Sequence, residues 1–83
     1  MTALEQIMEH YPEEDFLYPT GFESAIVGVD LISRCVIMNS AKIIDLLVQR
    51  DGMTYDEAYE YFEYNISGAY VGEKTPIYAI ICI

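Results

Sequence analysis

The chain has no tryptophan, one histidine, two cysteines, three prolines and only four basic side chains in 83 residues. Each scarcity excludes something. Four Lys and Arg against fourteen Asp and Glu give a formal charge of −10. Direct binding of DNA, RNA or an anionic membrane needs cations that displace counterions, so none of these is an expected partner. A single histidine, His10, leaves general acid–base chemistry without an orienting partner, and its place at the end of a helix-like segment suits a surface role. Cys35 and Cys82 lie in the apolar runs RCVIMN and AIICI, with no metal-ligand spacing and no base beside them. They are expected to be buried free thiols in a reducing compartment. No phosphate-cradling glycine loop is present. The first residues, MTALEQIMEHYP, lack a basic n-region and a long apolar core, and no stretch approaches the ~18–20 apolar residues of a membrane span. A cytoplasmic, non-membrane, non-enzymatic protein without cofactor or metal is the expectation.

What is present is globular. Hydrophobic residues make up 53% of the chain, too many for disorder despite the charge. The length suits one domain, 1–83, divided into an acidic N-terminal helix and loop (1–20) and a core (21–83). Leu4, Ile7, Met8 and Tyr11 have helical spacing behind a Thr2–Glu5 capping box, and Pro12 ends that helix. The stretch PEEDFLYPT reads as a loop. Two short β-like runs follow, Ala25–Asp30 and Arg34–Asn39, joined by a hairpin connection at Leu31–Ser33. Gly28 inside the first predicts a bulge or a close backbone approach. Neither run alternates cleanly, which predicts a sheet covered on both faces, by the chain's own helices or by a second subunit.

Asn39 or Ser40 can cap a largely buried helix over Ala41–Arg50 with Gly52 as its stop. A second capping box, Thr54–Glu57, opens a helix from Tyr55 to about Ala69 with Ala58, Phe62, Ile66 and Ala69 as its apolar stripe. Glu73–Pro76 forms a turn, and IYAIICI (Ile77–Ile83) is a strand apolar on both faces, best suited to the centre of the sheet. The fold class is therefore α+β in the order α-β-β-α-α-β, with a small three-stranded antiparallel or mixed sheet and packed helices.

Two places could carry function. Tyr55, Tyr59, Tyr61 and Tyr64 alternate with Glu57, Glu60 and Glu63 on one helix, and no helix has room to bury that many tyrosines against so small a sheet. Either they pad the edge of a thin core, or they form a rigid acidic surface that docks a basic protein or a second copy of the chain. The row of carboxylates diverges along its helix and so is not expected to cage a metal ion. The second place is Asn65, Gly68, Tyr70, Glu73, Lys74 and Thr75, where small residues late in the helix permit close approach of a strand or ligand.

The string EAYEYFEYNISGAYVGEKTP, preceded by GFESAIVGVD, resembles a family of short uncharacterised proteins of phages, prophages and bacterial genomes. The likeness spans Gly21 to Ile77. It brings no activity or catalytic residue with it. It implies a phage-type accessory protein in the host cytoplasm, inhibiting a bacterial defence complex by occupying a basic nucleic-acid groove. A nucleotide binder that sequesters an immune signal, as an oligomer using Lys42, Arg50 and Lys74, is a different class of role. A housekeeping domain is a third.

Overall fold

The computed structural model describes residues 1–82. Helix α1 (Ala3–His10) opens on the expected capping box: the Thr2 hydroxyl accepts from Glu5 N–H, and the Glu5 carboxylate accepts from Thr2 N–H. A 3-10 turn (Glu23–Ala25) leads into strand β1 (Ile26–Val29), and a hairpin returns the chain along β2 (Val36–Asn39). The Asn39 side chain accepts from the N–H groups of Ala41 and Lys42 and starts α2 (Ser40–Asp51), which Gly52 stops in the left-handed conformation at φ 71°. Helix α3 (Tyr55–Tyr61) begins at the Thr54–Glu57 capping box and widens into a π-helical turn (Phe62–Ser67). Strand β3 (Ile77–Ala79) completes the order α-β-β-α-α-β of an α+β fold.

The sheet is mixed, in the order β1-β2-β3, with β1 antiparallel and β3 parallel to β2. This corrects the central position expected for the last strand. The hairpin holds β1 against β2 too tightly to admit a strand between them. Asp30 accepts from the N–H groups of Ile32 and Ser33 and from the Ser33 hydroxyl, while the backbones of Asp30 and Cys35 pair across the turn. These contacts hold the Asp30 carboxyl below its ordinary range, the Ser33 N–H contributing most. Arg34 closes the loop at φ 60°, so β2 begins later than the sequence pattern implies. With α1 packed beside β1, β3 takes the free edge of β2. The two-helix crossover brings it in parallel.

The glycine in β1 does mark a bulge: Ile26 pairs with Met38 and Gly28 with Ile37, leaving Val27 as the extra residue. On the inner face Val36 and Met38 meet Ile43 and Leu47 of α2, and these four are the largest fully buried side chains. Each contributes roughly 1.5–3 kcal/mol by leaving water. Phe62 meets the Tyr78 ring edge-on at 5.5 Å, anchoring the π turn to β3. The outer face is not fully covered by the chain's own helices. Val27 is 47% exposed and Ile77 39% exposed.

The helix expected to run to Ala69 is α-helical only to Tyr61. At the end of the π turn, a Cβ on Gly68 would stand 2.6 Å from the Glu63 carbonyl oxygen. The small residue serves the helix's own widened backbone rather than a neighbouring strand. Cys35 is buried as expected, and its thiol donates to the Glu73 carbonyl at 3.1 Å. Cys82 is exposed because it lies beyond Ala79, the last paired residue of β3. Among the described residues no helix is long and apolar enough to cross a membrane.

Candidate functional site

Helix α3 gains its rigidity at its first turn. Glu57 accepts from Thr54 N–H at 2.9 Å and the Thr54 hydroxyl accepts from Glu57 N–H at 3.2 Å. The Thr54 N–H, and then its hydroxyl, hold the Glu57 carboxyl below its ordinary value. Glu57 is thus committed to the helix start, whereas Glu60 and Glu63 are exposed without a partner among the described residues. Ala58 turns inward, and Phe62 and Ile66 continue that buried stripe through the π turn. The tyrosines turn outward: Tyr55, Tyr59, Tyr61, Tyr64 and Tyr70 are all exposed, Tyr64 to 83%.

Spacing of four divides the helix surface into two rows. Tyr55, Tyr59 and Glu63 form one, with the first two rings stacked 6.3 Å apart at 28°. They form one bank of a cleft of about 430 Å³, whose opposite bank includes Tyr78, Ala79 and Ile80 and whose end is the start of α2 at Ser40. The Ser40 hydroxyl donates to the Ala79 carbonyl at 3.0 Å and ties the start of α2 to the β3 bank. Burial pushes the Tyr78 phenol above its ordinary pKa. Glu57 and Tyr61 form the second row, and neither they nor Tyr64 line the cleft. Nothing in the sequence pattern joins Ser40 and Ile80 to the tyrosines, because that meeting depends on where β3 pairs.

Neither a family model nor a curated protein nor a solved structure matches this chain.

The second candidate group separates into structural parts. Thr75 accepts from Val71 N–H at 2.9 Å and donates to the Gly72 carbonyl at 2.6 Å, closing a turn around Gly72 at φ 105°. Lys74 reaches Glu14 at 2.8 Å and the carbonyls of Ser33 and Arg34 at 3.5 and 3.4 Å. That contact with Lys74 is the main cause of the lowered Glu14 pKa. Together with the Arg34 guanidinium 4.1 Å from the Tyr11 ring centroid, it staples the N-terminal segment to the hairpin. Glu73 contributes its backbone carbonyl to Cys35. Tyr70 stands in solvent. Asn65 alone borders a cavity, an apolar one of about 230 Å³ also lined by Leu17, Tyr18, Val71 and Pro76.

The cations do not converge. Arg50 donates to the Gly21 carbonyl at 2.8 Å and lies over Phe22, Lys74 sits with Glu14, and Lys42 occupies the opposite end of α2 from Arg50. Among the described residues no three His, Cys, Asp or Glu side chains gather as a metal-binding group.

Proposed function

We propose that this chain is a non-enzymatic binding protein that docks a basic, nucleic-acid-handling protein of a bacterial host through α3 and the π turn. The observation that carries the reading is the surface of that element. Asp56, Glu57, Glu60 and Glu63 fall within eight residues, about 12 Å of helix. Asp56, Glu60 and Glu63 recur at spacings of four and three and so share one side of it, while Glu57 is held at the helix start. Between Arg50 and Lys74 no Lys or Arg interrupts it. The exposed tyrosines supply ring area with few rotatable bonds, the composition of protein-binding surfaces. A groove built to take phosphates would be steered to this face and then blocked by it. The phage-type resemblance supplies the context: a host-directed inhibitor of a defence complex, acting in the bacterial cytoplasm.

The test is capture of the partner from bacterial lysate, followed by affinity measured across salt. Raising NaCl from 50 to 500 mM should weaken binding by about two orders of magnitude. Glu60→Lys with Glu63→Lys should weaken it at least as much at low salt while the unfolding midpoint holds. Glu57 is left in place because it caps the helix. Salt-insensitive binding would sink the reading.

A further inference from the structure

Strand β3 poses a contradiction that the single chain does not resolve. From Ile77 to Cys82 every residue is apolar or aromatic, so successive side chains on both faces call for cover. Among the described residues β3 has one neighbouring strand, and only Ile77, Tyr78 and Ala79 are paired. Ile80 is 84% exposed, and Ile81 and Cys82 are exposed as well. Edge strands of monomeric proteins are normally blunted by a charge, a proline or a bulge. This one has none between Ile77 and Cys82.

We infer that β3 is the seam of a twofold dimer, pairing antiparallel with β3 of a second copy to form one six-stranded sheet. Charge selects a second copy as the occupant. Two chains of formal charge −10 repel wherever acids face acids, and fourteen acids are spread over residues 5–73. From Thr75 to Cys82 there is no charged side chain, so this strip lets two copies approach without juxtaposing like charges. A basic partner would find nothing here to recognise. Antiparallel pairing of a strand with itself is self-complementary, as a twofold interface requires. The pairing also makes the half-open outer face around Ile37 and Ile77 continuous between copies. In that dimer β3 becomes a central strand, the place its composition suits. The inference stands apart from the partner surface on α3, although a dimer would present that surface twice and allow bivalent docking.

Sedimentation of the full chain from 1 to 100 µM, in reductant to keep Cys82 from oxidising, should give twice the chain mass. Ile80→Lys places a charge at a solvent-exposed position, so the fold should survive while the dimer dissociation constant rises at least 100-fold. Raising NaCl from 50 to 500 mM should leave the dimer intact or tighten it. In a Cys82→Ser background, single substitutions Ala79→Cys, Ile80→Cys and Ile81→Cys should include one that cross-links efficiently, the position on the twofold axis. This scan decides the matter if Ile80→Lys fails to fold. A wild-type monomer at 100 µM would overturn the inference. So would a dimer indifferent to Ile80→Lys, a dimer dispersed by salt, or a scan in which none of the three positions cross-links.

Discussion

Helix α3 and strand β3 face each other across one cleft, yet they are built on opposite terms. The helix is specified locally: Thr54 and Glu57 cap it three residues apart, and its outward side chains are acids and tyrosines that tolerate water. The strand is specified at a distance: Ile77 finds its register against Ile37, and its flank carries no charge at all. A surface of the first kind recognises by long-range field and is screened by salt. A surface of the second kind recognises by backbone pairing and apolar contact, which salt does not weaken. The difference explains how an acidic chain could hold two associations without confusing them.

Several perturbations would break or sharpen that contrast. The largest effect expected is opposite salt behaviour of the two associations, with partner binding on α3 falling about 100-fold and pairing at β3 unchanged. Next is Gly68→Ala. Its Cβ would fall 2.6 Å from Glu63 O, so the π turn must shift, at a cost of about 1–3 kcal/mol by thermal or urea unfolding. A neutral result would mean that the widened turn relaxes freely. Thr54→Ala is smaller, about 1 kcal/mol, because it removes one cap and leaves packing intact. It should loosen α3 without altering the oligomeric state.

The smallest effect is on pH dependence. Glu5, Glu14, Glu23, Asp30 and Glu57 have folded pKa values below their ordinary ones. Each contribution is therefore fully present above the unfolded value, 4.5 for Glu and 3.8 for Asp, and is lost as pH falls through the folded one. The unfolding midpoint should drop by a few degrees between pH 5 and pH 3, and Glu57→Gln should drop less. A midpoint that climbs steadily to pH 3 would show that relief of the net charge outweighs these five groups. Strand β3 has no carboxylate or imidazole between Ile77 and Cys82, so acid should act on the helix starts, the hairpin turn and the Glu14–Lys74 contact.

Local features were legible in the sequence. Both capping boxes, the Asn39 cap, the Gly52 stop and the bulge at Gly28 each depend on residues within a few positions of one another, where spacing and geometry coincide. The place of β3 was not legible, because an apolar strand shows its appetite for neighbours and not which neighbours it finds. The π turn escaped for a related reason: Phe62 and Ile66 keep helical spacing in either geometry, and only the contact at Gly68 distinguishes them. Lys74 looked like a ligand-binding cation until its partner, 60 residues away at Glu14, was in view. The tyrosines were recognisable as too many to bury, but the cleft beside Tyr55 and Tyr59 exists only once β3 has docked.

The parallel pairing of β2 with β3 has a kinetic consequence. The β1–β2 hairpin and the three helices can form from near neighbours in the chain, whereas Ile37 and Ile77 are 40 residues apart. Closing a loop of that length costs about 3 kcal/mol of chain entropy beyond a constant. The hairpin and its helices should therefore assemble first, and arrival of the last strand should limit the folding rate. Until it arrives, β2 also has an open edge, so newly made chains would be most prone to pair wrongly with one another during that interval.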